Sequence, residues 1–353
     1  GAKFEQVAAG LGTVEKNHLL VRYSGQFSVE NLNDTKQLEK NEDIFVQVHE
    51  FETGEITCAY EPYLTMICDG FRRYMTGTFE EFMETCDVYY LHRPVLLGYF
   101  NQDNTGREEI ILLDEVAYEQ ERMLAALERM LCAIADRHPV LFVLNRFQLA
   151  SKSTMQLTAR FLKCENCNIG LVLGVSDIQA MPEFLVPDWE MLYETLDDGS
   201  KIYHIGNSGR KKEETIDDEK YVDYGSEKVY RKLQNMVEFL DFDQAAYYLE
   251  TIERKIKFDN LLVDDAARFR MWLLFVKVSI LRQDIPKALE ICEDLEKIHL
   301  AGKEEECAYE QDYLIATAYM YQGKLKEALE MAGETYRIAG KVSDDYRMFL
   351  SEL

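Results

Sequence analysis

Hydrophobic residues in the first two hundred positions form short continuous runs that alternate with helical stripes. Residues 139–144 and 169–175 are continuous apolar runs, and a weaker run at 44–49 gains polar residues toward its end. Continuous runs of this length are typical of parallel strands buried on both faces. Residues 119–135 place Met and Leu side chains at helical spacing. Strands alternating with such helices predict an α/β domain with a parallel sheet.

The second part of the chain, from about residue 226, predicts helices only, and these come in pairs. The predicted hairpins are 229–240 with 243–256, 266–281 with 285–298, and 309–321 with 325–338. Ala246, Ala288 and Ala328 recur about 40 residues apart, which is longer than the roughly 34 residues of a tetratricopeptide repeat. Small residues at such positions let neighbouring helices approach closely.

The third hairpin carries a resemblance to the tetratricopeptide repeat. The small, aromatic, turn-glycine, packing and small positions of that repeat match Ala316, Tyr319, Gly323, Leu325 and Ala328. This resemblance implies an array of helical hairpins whose surface recognises a protein or a small effector. Such repeats would have unusually long helices.

A polar segment separates the two patterns. Residues 206–225 are rich in charged and polar side chains, which is typical of an exposed linker. We therefore divide the chain into an α/β domain at 1–205, the linker at 206–225, and three helical hairpins at 226–353. The helical pattern continues to the last residues, so we expect a truncated repeat array and an output domain elsewhere in a longer protein.

A nucleotide-binding motif can be aligned near the start of the chain. Residues 3–9 predict a first strand, Gly10, Gly12 and Lys16 follow it, and residues 19–20 are expected to begin an apolar helix. The phosphate-binding loop of P-loop NTPases has the pattern G-x-x-x-x-G-K-[ST] between a strand and a helix. Gly10 and Lys16 occupy the positions of its first glycine and its lysine.

Two substitutions in this motif weaken it chemically. Glu15 stands where the second glycine gives backbone N–H groups room to surround a phosphate, and its carboxylate would repel that phosphate. Asn17 stands where a hydroxyl should reach magnesium, and its bulkier amide fits poorly into the tight octahedral shell of that ion. Weak, metal-free binding of ATP or ADP through Gly10, Gly12, Lys16 and Asn17 remains compatible with the sequence.

A second motif should supply the acidic residues that organise magnesium at the end of a later apolar strand. The run at 139–144 is such a strand, but Asn145 and Arg146 follow it, so an amide and a cation replace both acids. Asn145 is therefore a candidate remnant of a nucleotide site without its metal chemistry.

These motifs together resemble the STAND class of signal-transduction ATPases, in which a P-loop NTPase domain precedes helical repeats. Several members are bacterial transcription regulators related to the maltose activator. The aromatic-proline segment Tyr60-Glu61-Pro62-Tyr63 ahead of a helix also looks like that family's. The resemblance implies a sensor arginine after the next strand, where Ser176 and Asp177 stand instead. Three losses in the same chemistry predict that hydrolysis is gone.

The formal net charge of −25 predicts a surface that repels nucleic acid and anionic lipid. Scattered cysteines in apolar stretches, with no predicted membrane helix or signal peptide, favour reduced thiols in the cytoplasm. Cys164 and Cys167 form a C-x-x-C pair without a second pair at zinc spacing, so we interpret them as loop thiols and expect no metal site.

The sequence leaves three functional hypotheses open. The first is a regulatory pseudo-NTPase that is not an enzyme, needs no cofactor, and binds a protein or small effector through its repeats. The second is an active ATP-binding switch with atypical ligands that assembles when nucleotide binds. The third is an α/β scaffold with an accidental motif match. Self-association is compatible with all three, and a role in transcription rests on the family resemblance alone.

Overall fold

The computed structural model describes residues 18–23, 43–52, 54–103, 115–164, 167–176, 181–197, 201–205, 222–298, 304–342 and 348. The chain divides into two compact units. Unit 1 comprises residues 1–110, 117–222 and 238–241, and unit 2 comprises residues 111–116, 223–237 and 242–353. The prediction of a mixed α/β region and a helical region is confirmed.

Unit 1 contains a parallel sheet with five strands among the described residues. The strands are β1 Leu19–Tyr23, β2 Phe45–Glu50, β3 Val140–Asn145, β4 Ile169–Val175 and β5 Lys201–Ile205. Their order across the sheet is β2-β3-β4-β1-β5, so β1 lies between β4 and β5. Leu20 pairs with Leu173 on one side and Ile202 on the other, and Val143 pairs with Val172.

The burial of the strands follows their sequence patterns. Every residue of β3 and β4 is buried, as their continuous apolar runs predict. In β2 only Phe45 is buried and the rest are half-buried, which fits an edge strand and its weaker apolar run.

One element was wrongly predicted. Residues 19–20 form the start of a strand, not of a helix. A short apolar run is compatible with either structure, and its pairing on both sides decides for the strand. The predicted strand at 3–9 lies outside the described residues.

The described part of unit 1 adds six α-helices. They are α1 Tyr63–Tyr74, α2 Phe79–Thr85, α3 Arg93–Asn101, α4 Val116–Arg137, α5 Lys152–Lys163 and α6 Val186–Asp197. Helix α4 extends the predicted stripe and buries Met123, Leu127 and Ile134 completely. Helix α5 begins at an N-cap serine, Ser151, whose hydroxyl accepts a hydrogen bond from the Thr154 N–H.

Unit 2 contains the three predicted hairpins. They are α7 Glu227–Glu238 with α8 Phe242–Phe258, α9 Asp265–Leu281 with α10 Ile285–Leu295, and α11 Glu304–Tyr321 with α12 Leu325–Val342. The two helices of the second and third hairpins pack against each other, and α11 also contacts both α9 and α10. Gly323 has a φ of 74° in the last turn, a conformation that glycine adopts without steric cost.

None of the helices in the described ranges is long and apolar enough to cross a lipid bilayer.

Candidate functional site

The carboxyl edge of the sheet is the first candidate site. Because all strands are parallel, the carboxyl ends of β1, β3 and β4 lie at one edge, and β4 lies between the other two. Ligands of open α/β sheets bind outside the carboxyl ends of the strands. The segments after β3 and β4, where the sequence predicts the remnants of a metal motif and a sensor turn, therefore lie at this edge.

Asn145 ends β3 at this edge, and its side chain is directed back onto the chain. The residue is 2% exposed, and its Oδ1 accepts a hydrogen bond from the Arg146 N–H at 3.0 Å. Its backbone carbonyl accepts a hydrogen bond from the Phe51 N–H at 3.1 Å. The oxygen that a magnesium ion would need is thus engaged by the backbone.

Arg146 stands where the predicted motif would have its second acid, and it pairs with an acid of the neighbouring strand. Its φ of 53° places it in the left-handed region, and its Nε lies 3.4 Å from Glu50 Oε1. Glu50 is in register with Asn145. Both side chains of the pair are about one-third exposed or less, so solvent screens it and its contribution to stability is small.

The ends of β3 and β4 are joined by a reciprocal pair of hydrogen bonds. Gln148, which is 3% exposed, donates from Nε2 to Ser176 Oγ at 2.8 Å. The Ser176 N–H in turn donates to Gln148 Oε1 at 3.4 Å. Ser176 holds the position where the family resemblance implies a sensor arginine, and here it joins two strands.

The N-terminus of α5 receives a carboxylate from a distant part of the chain. Free N–H groups and the helix dipole make such a terminus attractive to anions. Asp241 Oδ2 accepts a hydrogen bond from the Ser153 N–H at 3.0 Å, and Asp241 is 4% exposed. A group that could bind phosphate is therefore used by the chain's own acid.

The aromatic-proline segment packs onto the same helix terminus. The Tyr60 N–H donates to Ser153 Oγ at 3.0 Å, and Thr154 Oγ1 donates to the Glu61 carbonyl at 2.9 Å. Burial, together with the charge of Asp241, raises the pKa of Tyr60. Its phenol is therefore neutral at physiological pH and unsuited to act as a base. The helix expected after this segment is confirmed as α1.

His49 is the histidine of β2 and lies one residue before the carboxyl end of that strand. Its Nε2 lies 4.0 Å from Glu61 Oε1, beyond hydrogen-bond distance. Burial lowers the pKa of His49, and the neighbouring charges of Glu61 and Glu50 only partly oppose this. The imidazole is therefore mainly neutral near pH 7.

The predicted phosphate-loop residues Gly10, Gly12, Lys16 and Asn17 lie outside the described residues, and their role stays a prediction. They precede β1 in the chain, whereas a phosphate loop follows its strand. The segment that does follow β1 begins Ser24-Gly25, and its first lysine is Lys36. The apolar run beginning at Leu19 could have indicated strand β1, but we had predicted that run as the start of a helix.

A second cluster lies near the amino ends of β3 and β4. Cys132 on α4, Cys164 directly after α5 and Cys167 just before β4 bring their Sγ atoms within 4.8 Å of one another. The sequence pattern joins only Cys164 and Cys167, because Cys132 is far from them along the chain. Cys132 and Cys164 are half-buried and Cys167 is buried.

Unit 2 exposes an apolar stripe on α12. Leu325, Leu329 and Tyr336 of α12 recur at helical spacing and are 68%, 74% and 38% exposed. Large apolar side chains that share one exposed face often mark an interaction site.

Comparison of the chain with models of protein families, with curated proteins and with solved structures finds no match.

Proposed function

We propose that this chain is a regulatory interaction protein. Its unit 1 has the layout of a STAND-class NTPase domain without the groups that bind magnesium, and its unit 2 is a tetratricopeptide-like array that binds a protein partner. The observation that carries the proposal is Asn145, which takes the place of the metal-organising acid and gives its oxygen to the Arg146 N–H.

The chemistry of the carboxyl edge supports this proposal. Magnesium requires near-octahedral oxygen coordination and usually one or two carboxylates. After β3 the chain offers a buried amide and a guanidinium, and the nearest acid in register, Glu50, already pairs with Arg146. The Asp241 carboxylate, which accepts a hydrogen bond at the start of α5, adds a negative charge that disfavours a nucleotide phosphate there.

The helical unit supports the interaction part of the proposal. Successive hairpins pack side by side, which is the arrangement that gives repeat arrays their extended binding surfaces. The exposed stripe on α12 offers apolar contact area, and the net charge of −25 favours a partner that carries positive charge.

The decisive experiment on unit 1 measures phosphate release from ATP with magnesium, together with calorimetric titration of ATP and ADP with and without the metal. We expect no protein-dependent turnover and no improvement of binding by magnesium. Lys16→Ala is the matched variant, because Lys16 is the remaining phosphate-loop candidate. Turnover in the wild type that disappears in Lys16→Ala would overturn the proposal in favour of an active switch.

The interaction part is tested by quantitative co-purification with wild type and a Leu325→Ser/Leu329→Ser variant. Tyr118→Ser is the control, because Tyr118 is a similarly exposed apolar residue of unit 1, at 69%. We expect a partner that is retained by wild type and control and lost from the double variant. Equal retention by all three proteins would contradict a binding role for α12.

A further inference from the structure

Three thiols from separate segments of unit 1 converge in a way that the carboxyl edge does not explain. Cys132 lies on the second half of α4, Cys164 caps the C-terminus of α5, and Cys167 precedes β4 by two residues. The Cys164 N–H donates to the carbonyls of Arg160 and Phe161, which fixes its position at the helix end. The cluster is thus held by three regular elements of unit 1.

We propose that Cys132, Cys164 and Cys167 form a binding site for a zinc ion. Their Sγ atoms lie within 4.8 Å of one another. Zinc–thiolate bonds of about 2.3 Å in tetrahedral geometry place the sulfur atoms roughly 3.8 Å apart. Small side-chain rotations would therefore bring the three sulfurs into coordinating positions.

The ligand type selects the metal. An all-sulfur donor set favours soft or borderline ions such as zinc over magnesium or calcium, which require oxygen. Three protein ligands leave the fourth tetrahedral position for water or another small ligand, as in zinc sites that remain open. The all-sulfur donor set differs chemically from the amide and guanidinium that follow β3 at the carboxyl edge of the sheet.

The surroundings permit three thiolates around a dication. Glu128 lies one turn before Cys132 on α4, and Arg160 Nε pairs with Glu128 Oε2 at 2.6 Å and offsets its charge. Zinc binding would release the thiol protons to solvent.

A zinc ion at this position would cross-link α4 to the segment between α5 and β4. Since the unfolded chain does not assemble three thiols in this geometry, binding would stabilise unit 1. The inference does not depend on the proposed function, because it involves neither the carboxyl edge nor unit 2.

The test titrates the reduced, chelator-treated full chain with Co²⁺, a spectroscopic substitute for zinc, and follows thiolate-to-cobalt charge-transfer absorption. We expect one equivalent to bind and zinc to displace it. Each of Cys132→Ser, Cys164→Ser and Cys167→Ser should weaken binding more than roughly 100-fold, since even outer-shell changes cost 10- to 100-fold. Cys58→Ser, a half-buried cysteine outside the cluster, should bind like wild type.

A second readout uses only the wild-type protein and so does not depend on the folding of any variant. Zinc should protect Cys132 and Cys164 from alkylation while leaving Cys58 unprotected. The absence of a charge-transfer band, equal cobalt binding by the cluster variants and Cys58→Ser, or equal protection of all three cysteines would each overturn the proposal.

Discussion

The two ends of the parallel sheet in unit 1 use their polar groups in opposite ways. At the carboxyl edge, Asn145 and Asp241 direct their oxygens onto backbone N–H groups of neighbouring residues and helices. At the amino edge, the side chains of Cys132, Cys164 and Cys167 bring their Sγ atoms within 4.8 Å of one another. At the edge where α/β proteins usually bind ligands, these polar side chains stabilise the fold through hydrogen bonds. The other edge carries sulfur atoms that could coordinate a metal ion.

This difference has an energetic meaning. A buried oxygen that satisfies a backbone donor contributes to stability, so its removal should destabilise the fold. A cluster of thiols offers sulfur atoms that can react or bind a metal ion. Substitutions at the two edges should accordingly separate effects on unfolding from effects on chemistry.

The largest expected effect at the carboxyl edge is that of Asp241→Ala. This change leaves the buried Ser153 N–H at the start of α5 without its charged acceptor. Hydrogen bonds to charged groups contribute about 1.5–3 kcal/mol, so we expect the free energy of unfolding to fall by about 2–3 kcal/mol. Urea denaturation followed by the fluorescence of Trp189, in a Trp272→Phe background, would report on unit 1.

Asp241→Asn is the matched control for this prediction. Its amide keeps an oxygen acceptor for the Ser153 N–H but removes the charge, so the loss should be smaller, at about 1 kcal/mol. Equal stability of wild type and Asp241→Ala would show that this carboxylate is not a structural cap. The carboxyl edge would then be open to an external anion.

The next expected effect is a difference in stability between variants of the two partners of Arg146, which are Asn145 and Glu50. Asn145→Ala removes the buried acceptor of the Arg146 N–H and should cost about 2 kcal/mol of unfolding free energy. Glu50→Ala removes the partly exposed ion pair and should cost less than about 1 kcal/mol. Urea denaturation of both variants checks the order, and a larger loss for Glu50→Ala would contradict it.

The sequence predicted the elements whose patterns are local and long. Strands β3 and β4 and the three hairpins carry many apolar residues at regular spacing, and their positions were predicted within a few residues. Strand β1 was missed because its five residues are too few to show a period, and its place was decided by pairing with β4 and β5.

The candidate sites were predicted less completely, because they depend on contacts between distant residues. Asn145 was predicted as a candidate because it directly follows a recognisable apolar run, and its role in a nucleotide site stays a prediction. Asp241 and Cys132 were missed, because each joins its partners only through the tertiary fold. The charge and spacing of residues along the chain do not indicate which distant residues come into contact in the fold.

The smallest expected effect is a difference in thiol reactivity between Cys132 at the amino edge and Cys86 elsewhere in unit 1. Hydrogen bonding within the cluster lowers the pKa of Cys132, whereas burial raises the pKa of Cys86 to about 11. At pH 8 the thiolate populations should differ by at least roughly a hundredfold. A thiolate of lower pKa is a weaker nucleophile, which offsets part of this difference. We therefore expect Cys132 to be alkylated at least about tenfold faster than Cys86 in metal-free protein.

Peptide mapping of the alkylated protein by mass spectrometry gives both rates in one experiment. Cys58, which is half-buried like Cys132 but lies outside the cluster, separates exposure from clustering. If Cys58 reacts as fast as Cys132, exposure alone explains the rate and the thiols do not influence one another. A Cys132 rate that falls in the Cys167→Ser variant, while the Cys58 rate stays constant, would place the cause in the hydrogen bond between the two thiols, since that bond has the largest influence on Cys132.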